Sequence, residues 1–515
     1  MLSRSYCAGL RGVNGYVVTV EADARMGLPG LTIVGQTAGA LNEARERVRS
    51  ALAHCGHEIR PRRQVVNLAP AALRKDSPGM DLAIACALLA AHEIVPAERL
   101  QRTMLWGELS LDGSLRPAAG TLVVADCARA EGFEALVVPP AAAPEAALVE
   151  GLKVVPAPDL GALCRHLRGE ADLALYVAPA EPPPPEFDDI DMADVRGLAL
   201  GRMAVEVMVA GGHNLLLHGP PGVGKTMLAR RTGALYPALD HAAALEVTKI
   251  HGVAAGSVAT GLQRQVPVRM PHHTVSVAGL LGGGRPVRPG EVSLAHRGVL
   301  FLDELPEFSR ACLEGLREPL EDGVVSIVRA HGAVTLPARF QLLAAMNPCP
   351  CGFLGHPQRA CVCSPAAIAR YLARISGPLL DRLDLVVPVN PVPLHTDGVA
   401  LERGEASEVV RERIVQARAR QAERLAGTPW RTNAEVPARG GAVERLCALR
   451  PGAERLMAEL AEVRQLSPRA QHRLRRVART LADLSVDEGD PTAPVDEVYV
   501  AEAAHLRRLP RPDDG

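Results

Sequence analysis

Gly211-Gly-His-Asn-Leu-Leu-Leu-His-Gly-Pro-Pro-Gly-Val-Gly-Lys-Thr226 decides the fold. Its apolar centre, Asn214–His218, reads as a short buried strand. The strand runs straight into Gly219, Pro220, Pro221, Gly222, Val223, Gly224, Lys225 and Thr226, which fit G-x-x-x-x-G-K-T. Glycines in such a loop let backbone N–H groups turn toward a β-phosphate, and the N-terminus of the following helix (Met227–Leu235) adds positive charge. Lys225 is placed to reach the β/γ oxygens of ATP, and the Thr226 hydroxyl to ligate Mg²⁺.

Downstream, Gly298-Val-Leu-Phe-Leu-Asp-Glu304 places four apolar residues before two carboxylates. A buried strand with that ending presents Asp303 to the Mg²⁺ shell and Glu304 to an attacking water. Asn347 ends a third apolar strand, Gln341–Met346, where a neutral amide can position that water. Arg382, in Ser376-Gly-Pro-Leu-Leu-Asp-Arg-Leu-Asp384, suits an arginine finger entering a neighbouring subunit's site. An ion pair with Asp381 or Asp384 is the lesser alternative. Strands and helices alternate from the glycine loop to about residue 392, which predicts an α/β domain with a parallel sheet. From about residue 435 the apolar spacing is helical throughout.

These segments resemble the YifB/ComM family of magnesium-chelatase-like AAA+ ATPases. The likeness extends to PHHTVS (Pro271–Ser276), RPGEVSLAHRGVLFLDELPEF (Arg288–Phe308), AAMNPCPCGF (Ala344–Phe353) and SGPLLDRLDL (Ser376–Leu385). It implies a P-loop AAA+ sheet with a helical C-terminal lid, preceded by an α+β Lon-protease-like domain of the ribosomal S5 domain 2-like type. On this reading residues 1–168 form the front domain, 169–192 a proline-rich linker, 193–395 the ATPase core, 396–434 a polar connector and 435–515 the lid. The resemblance further implies a homohexameric ring driven by ATP and Mg²⁺, acting on branched or single-stranded DNA in branch migration during recombination or natural transformation. A chelatase-like or protein-remodelling role on a protein partner is the alternative. Arg469 falls where the family's lid arginine meets the γ-phosphate, while Arg196-Gly-Leu-Ala199 departs from the usual Gly-Gln on the adenine side. In the front domain, the serine and lysine positions of a Lon-type dyad fall on Gly79 and Leu122, so a peptidase-like fold without peptidase chemistry is expected.

Several stretches suit a polymer substrate. Val324–Val328 and Ala333–Leu336 read as a hairpin with a basic tip, Arg329-Ala-His-Gly332. Between Arg264 and Arg297, the residues Arg269, His272, His273, Arg285 and Arg288 offer phosphate contacts or polar packing. Arg464, Arg469, Arg473, Arg475, Arg476 and Arg479 form a dense basic run expected to face outward or toward the nucleotide. Cys349, Cys351, Cys361 and Cys363 form C-x-C-x₉-C-x-C, a set able to close a tetrahedral Zn²⁺ site. The C-x-C spacing is tighter than usual and also suits reduced thiols packed in a loop.

Composition bounds the rest. The 515 residues call for two or three domains, and a net charge of −1 leaves any nucleic-acid surface to a local patch. Without a run of about 18 apolar residues, no membrane span is expected. Eleven cysteines without an export signal place the chain in the cytoplasm.

Overall fold

The computed structural model describes residues 2–35, 38–56, 62–71, 73, 75, 77–179, 190–256, 259, 261–284, 287–329, 332–356, 358–391, 395–396, 399–400, 403–485 and 490–507. Most of the proline-rich seam, Arg285 and the hairpin tip at Ala330 and His331 lie outside them. The chain forms two compact units. Residues 1–183, 240–264 and 328–334 make the first, and residues 184–239, 265–327 and 335–515 the second.

The first unit holds a seven-stranded mixed sheet. Its strands are β1 (Leu2–Arg11), β2 (Asn14–Arg25), β3 (Gly30–Val34), β4 (Arg63–Ala69), β5 (Thr103–Leu105), β6 (Ala135–Val138) and β7 (Lys153–Pro156). Their spatial order is β3-β4-β2-β1-β5-β6-β7. Helices α1 (Ala38–His54), α2 (Asp81–Ala91), α3 (Thr121–Ala130) and α4 (Leu160–Arg168) accompany them. Every residue of α2 is buried, as its unbroken apolar run predicts, and Ser3 and Ser5 of β1 donate to its carbonyls at Ala87 and Ala83. Asp112-Gly113, a favourable hairpin-turn pair, joins Glu108–Leu109 to Leu115–Arg116 in antiparallel register.

One helix of this unit comes from far along the chain. His241–Ala255 contributes Leu245 to the first unit's apolar core, and Lys249 pairs with Asp126 at 2.6 Å.

The second unit is built on five parallel strands. After α5 (Ala199–Gly211) come β8 (Leu215–His218), α6 (Lys225–Arg231), β9 (Val268–Arg269), β10 (Val299–Leu302), the hairpin strands β11 (Val324–Arg329) and β12 (Gly332–Pro337), of which residues 328–334 are counted with the first unit, and β13 (Gln341–Met346). Then follow α7 (Pro365–Leu372), β14 (Leu385–Pro388), α8 (Ser407–Arg424), α9 (Pro451–Val463), α10 (Pro468–Leu484) and α11 (Glu497–His505). The sheet order is β9-β10-β13-β8-β14, so β8 lies between two strands that come later in the sequence. Such a switch point opens a crevice at the carboxyl ends of the strands. The sheet is apolar on both faces because helices cover it, and residues of α8, α10 and α11 share one core with Leu215, Leu343 and Leu385.

The basic run on α10 corrects the sequence expectation. Arg473 and Arg479 are buried, Arg475 and Arg476 half-buried, and of the six arginines only Arg469 is exposed. Arg479 pairs with Asp483 at 3.0 Å, and the same carboxylate holds Arg424 at 2.7 Å. Arg475 pairs with Glu454, and Arg476 donates to the carbonyls of Ala434 and Val436. The apolar stripe of α10 faces the core as predicted, but Asp483 one turn along the same helix, and carboxylates and carbonyls from other elements, meet the charges beside it. Among the described residues, no helix is long and apolar enough to cross a membrane.

Candidate nucleotide site

Strand register builds the pocket. His218 lies beside Met346, so β8 and β13 end level, and Leu302 lies beside Ala344, so β10 stops two residues earlier at the same end of the sheet. Asp303 and Glu304, Asn347 and Gly219 therefore emerge together. Gly224 caps α6 with a φ of 99°, a conformation that a side chain would strain. The strand–loop–helix expected of Gly219–Thr226 is thus present.

Lys225 is buried at the start of α6. Its ammonium donates to the carbonyls of Gly219 (2.6 Å) and Pro220 (2.8 Å) and to Asn347 Oδ1 (3.2 Å). Burial pushes this ammonium down to about 8, against the opposing pull of Asp303 and Glu304. Thr226 Oγ1 donates to Asp303 Oδ2 at 2.7 Å. A hydroxyl and a carboxylate meeting beside a buried cation fit a magnesium–triphosphate group: Lys225 would face phosphate oxygens, while Thr226 and Asp303 would hold the ion.

Glu304 stands in the left-handed region, at a φ of 53°. Its own N–H donates to Asp303 Oδ1 (2.9 Å), and its carbonyl accepts from Glu307 (2.7 Å). Its carboxylate lies 3.3 Å from His273 Nδ1. The sequence left His273 between phosphate contact and polar packing; its partner is Glu304. The signal that would have found it is register, because Arg269 sits beside Leu300 and each residue of the pair lies four positions further on.

Arg269, read as a phosphate contact, instead forms a two-pronged pair with Glu291 at 2.7 and 3.0 Å. Arg382 is half-buried, donates to Pro378 O at 2.8 Å and pairs with Glu321, rather than with Asp381 or Asp384. Arg469 is exposed on the first turn of α10. These contacts bring Lys225, Thr226, Asp303, Glu304 and Asn347 together, and leave Arg382 and Arg469 outside that group.

The cysteine loop begins two residues beyond Asn347. Cys349 Sγ lies 3.4 Å from Cys351 Sγ and 3.6 Å from Cys361 Sγ, which is also 3.6 Å from Cys351 Sγ. All four sulfurs, Cys363 included, fall within 4.8 Å of one another. A tetrahedral Zn²⁺ with Zn–S near 2.3 Å sets its ligands about 3.8 Å apart, so the set fits that ion. The Cys363 N–H points at Cys361 Sγ (3.4 Å). A Cβ at Gly352, inside the loop, would lie 2.7 Å from the Pro221 ring of the glycine-rich loop.

In the first unit, a Cβ at Gly79 would lie 2.6 Å from the Trp106 ring, and Leu122 is buried. The indole fills the space that a serine would need.

Comparison with known proteins agrees with this layout. Residues 191–396 match the model for magnesium chelatase subunit ChlI, residues 20–142 a second ChlI model, and residues 404–507 the ChlI C-terminal model. Escherichia coli YifB is 40% identical over 511 residues, spanning 97% of this chain and 96% of that protein. Competence protein ComM of Haemophilus influenzae is 38% identical over 98% of this chain and 97% of its own length. Rv2897c of Mycobacterium tuberculosis reaches 44% over 97% of this chain and 98% of its own. The chain belongs to the YifB/ComM family of magnesium-chelatase-like AAA+ ATPases.

Proposed function

We propose that this chain is an ATP-driven motor that remodels DNA as a homohexameric ring, by branch migration or helicase activity. The observation that carries the ATPase part is the convergence of Lys225, Thr226, Asp303, Glu304 and Asn347 at one end of the parallel sheet. Lys225 binds the β/γ oxygens, Thr226 and Asp303 hold Mg²⁺, Glu304 accepts the proton of the attacking water and Asn347 positions that water. Arg382 and Arg469 reach a nucleotide from the neighbouring subunit and from the lid once the ring assembles. The DNA part rests on the ComM relative, whose name ties it to competence.

The experiment is turnover of ATP with and without forked or Holliday-junction DNA, together with migration of a labelled junction. Lys225→Ala and Glu304→Gln serve as controls. Strong stimulation by junctions supports the motor on DNA; stimulation by a protein alone supports a chelatase-like or protein-remodelling role, which the ChlI family models favour.

We also propose a structural Zn²⁺ held by Cys349, Cys351, Cys361 and Cys363. Four protein ligands leave no open position, so its task is to fix the loop that follows Asn347 and rests on Pro221. Metal analysis of unchelated protein should find one zinc per chain, and none after Cys361→Ser with Cys363→Ser. The eleven cysteines are all free, which supports a reducing cytoplasm.

A further inference from the structure

Residues 323–380 carry no aspartate or glutamate, although the chain has 58 such acids among its 515 residues. Arg329, Arg339, Arg359, Arg370 and Arg374 fall in the same stretch. A long segment that is basic and free of acid suits a polyanion. Its second half, after β13, is the four-cysteine loop and α7 of the second unit.

The loop builds a small platform between its two cysteine pairs. His356 Nδ1 accepts from the N–H groups of Gln358 and Arg359, each at 3.1 Å. This turn carries the Arg359 guanidinium over the Phe353 ring, 5.2 Å from its centre, and the His356 ring meets Phe353 edge-on at 5.7 Å. Arg359 is exposed, so the outer face of its guanidinium is open to a second planar group. Val362, between Cys361 and Cys363, is 86% exposed and adds an apolar contact. Arg370 is exposed on α7, and its Nε donates to Ala366 O at 3.3 Å, which lays the side chain back toward the start of the helix and Cys363. Arg374 is held by Glu307 at 3.0 Å, whereas Arg359 and Arg370 pair with no carboxylate among the described residues.

A guanidinium plane recognises an unstacked base by its π-face, while N–H edges meet backbone phosphates. An acidic protein would use the charges and have no need of the plane.

We propose that the four-cysteine loop is a contact for single-stranded DNA, with a base lying on Arg359 over Phe353 and phosphates meeting Arg359 and Arg370. This rests on the DNA reading above and names a surface that carries it.

Binding of a labelled oligothymidine to the full chain, with a non-hydrolysable ATP analogue present, is measured by anisotropy across a salt series. The variants are Arg359→Lys, Arg370→Gln, and Arg359→Glu combined with Arg370→Glu. The double reversal is expected to weaken binding roughly tenfold or more and to flatten the salt slope by about 1.4, at about 0.7 per phosphate contact on a single strand. Arg370→Gln flattens it by about 0.7. Arg359→Lys keeps the slope and weakens binding roughly fivefold, the loss of one stacked base. Urea midpoints by circular dichroism stay at the parent value, because both side chains are exposed. If the parent binds and the double variant matches it in affinity and slope, the proposal is overturned while the DNA reading stands. A parent that binds no DNA overturns both. Arg359→Lys at the parental affinity overturns the base platform.

Discussion

Both units pair helices with strands, yet the convergence of Lys225, Thr226, Asp303 and Asn347 at strand ends lies in the second. In the second unit β10, β13 and β8 finish at the same end of the sheet and release Asp303, Glu304, Asn347 and Gly219 there. In the first, the segment before α2 is closed by Trp106 packed on Gly79, and α2 is buried throughout. An indole fills the space before α2 in the mixed sheet, whereas a switch point in the parallel sheet opens a crevice. The two tryptophans, Trp106 in the first unit and Trp430 in the second, allow each body to be followed separately through Trp430→Phe and Trp106→Phe backgrounds.

The largest effect should fall on chemistry and leave folding alone. Glu304→Gln should lower kcat by about 10²–10⁴-fold, the usual weight of a general base, while ATP still binds. Lys225→Ala should abolish turnover through lost phosphate contact. Urea midpoints read from Trp106 should stay at the parent value in both variants, which steady-state turnover and fluorescence check together.

Next comes the buried charge cluster that secures the C-terminal helices. Asp384 accepts from the Asn214 N–H at 3.1 Å and faces His213, Arg473 and Arg476 at 3.7 to 4.0 Å. Burial works against its charge, but His213, Arg476 and the Asn214 N–H outweigh it and hold the carboxyl well below the usual range. Removing it leaves buried guanidinium groups uncompensated, as Arg473, already lowered to about 10 by burial, shows most clearly. Asp384→Asn should cost the second unit about 3–5 kcal/mol by Trp430 unfolding and spare the first.

Acid should then separate the units. Burial raises Asp81 to about 6 against the pull of Arg47, and Glu145 to about 7 against backbone hydrogen bonds from Ala259 and Leu122. A carboxyl raised above its unfolded value weighs against folding at pH 7, and that weight lifts as pH falls toward roughly 4. The first unit should therefore gain up to about 3 kcal/mol over this window from Asp81 alone, at about 1.4 kcal/mol per unit. Asp384 is depressed, so its stabilisation is complete above its unfolded value near 4 and is lost only below it. Urea midpoints at pH 7, 5 and 3.5 should rise for Trp106 between the first two, and fall for Trp430 at the last.

What could be read from the sequence was local. The glycine loop, the apolar run into Asp303 and Glu304, the Asp112-Gly113 turn and the buried run of α2 each declare themselves within a dozen residues, because spacing and turn chemistry are short-range properties. Pairings across the chain were hidden. Arg424 reaches Asp483 from another helix, Arg269 meets Glu291, and His273 meets Glu304 only because β9 and β10 are neighbours. A charge run on one helix says how the charges are spaced, not which carboxylates arrive from elsewhere. The same blindness hid helix His241–Ala255, whose Leu245 completes a core that begins some 240 residues earlier.

The smallest effect concerns the closed end of the first unit. An added methyl at position 79 would sit 2.6 Å from the fully buried Trp106 ring, which has no room to swing aside. Gly79→Ala should therefore cost about 1–3 kcal/mol in Trp106-detected unfolding and leave ATP turnover untouched. Trp106→Leu in the same chain, with unfolding followed by circular dichroism in place of the lost indole, should recover part of that loss. Gly79→Ser with Trp106→Leu should still cleave no peptide, because the lysine position holds buried Leu122, and Lys75 already donates its ammonium to the carbonyls of Pro70 and Leu73. A serine without a base stays a poor nucleophile, so restoring the space cannot turn the closed end into an active one.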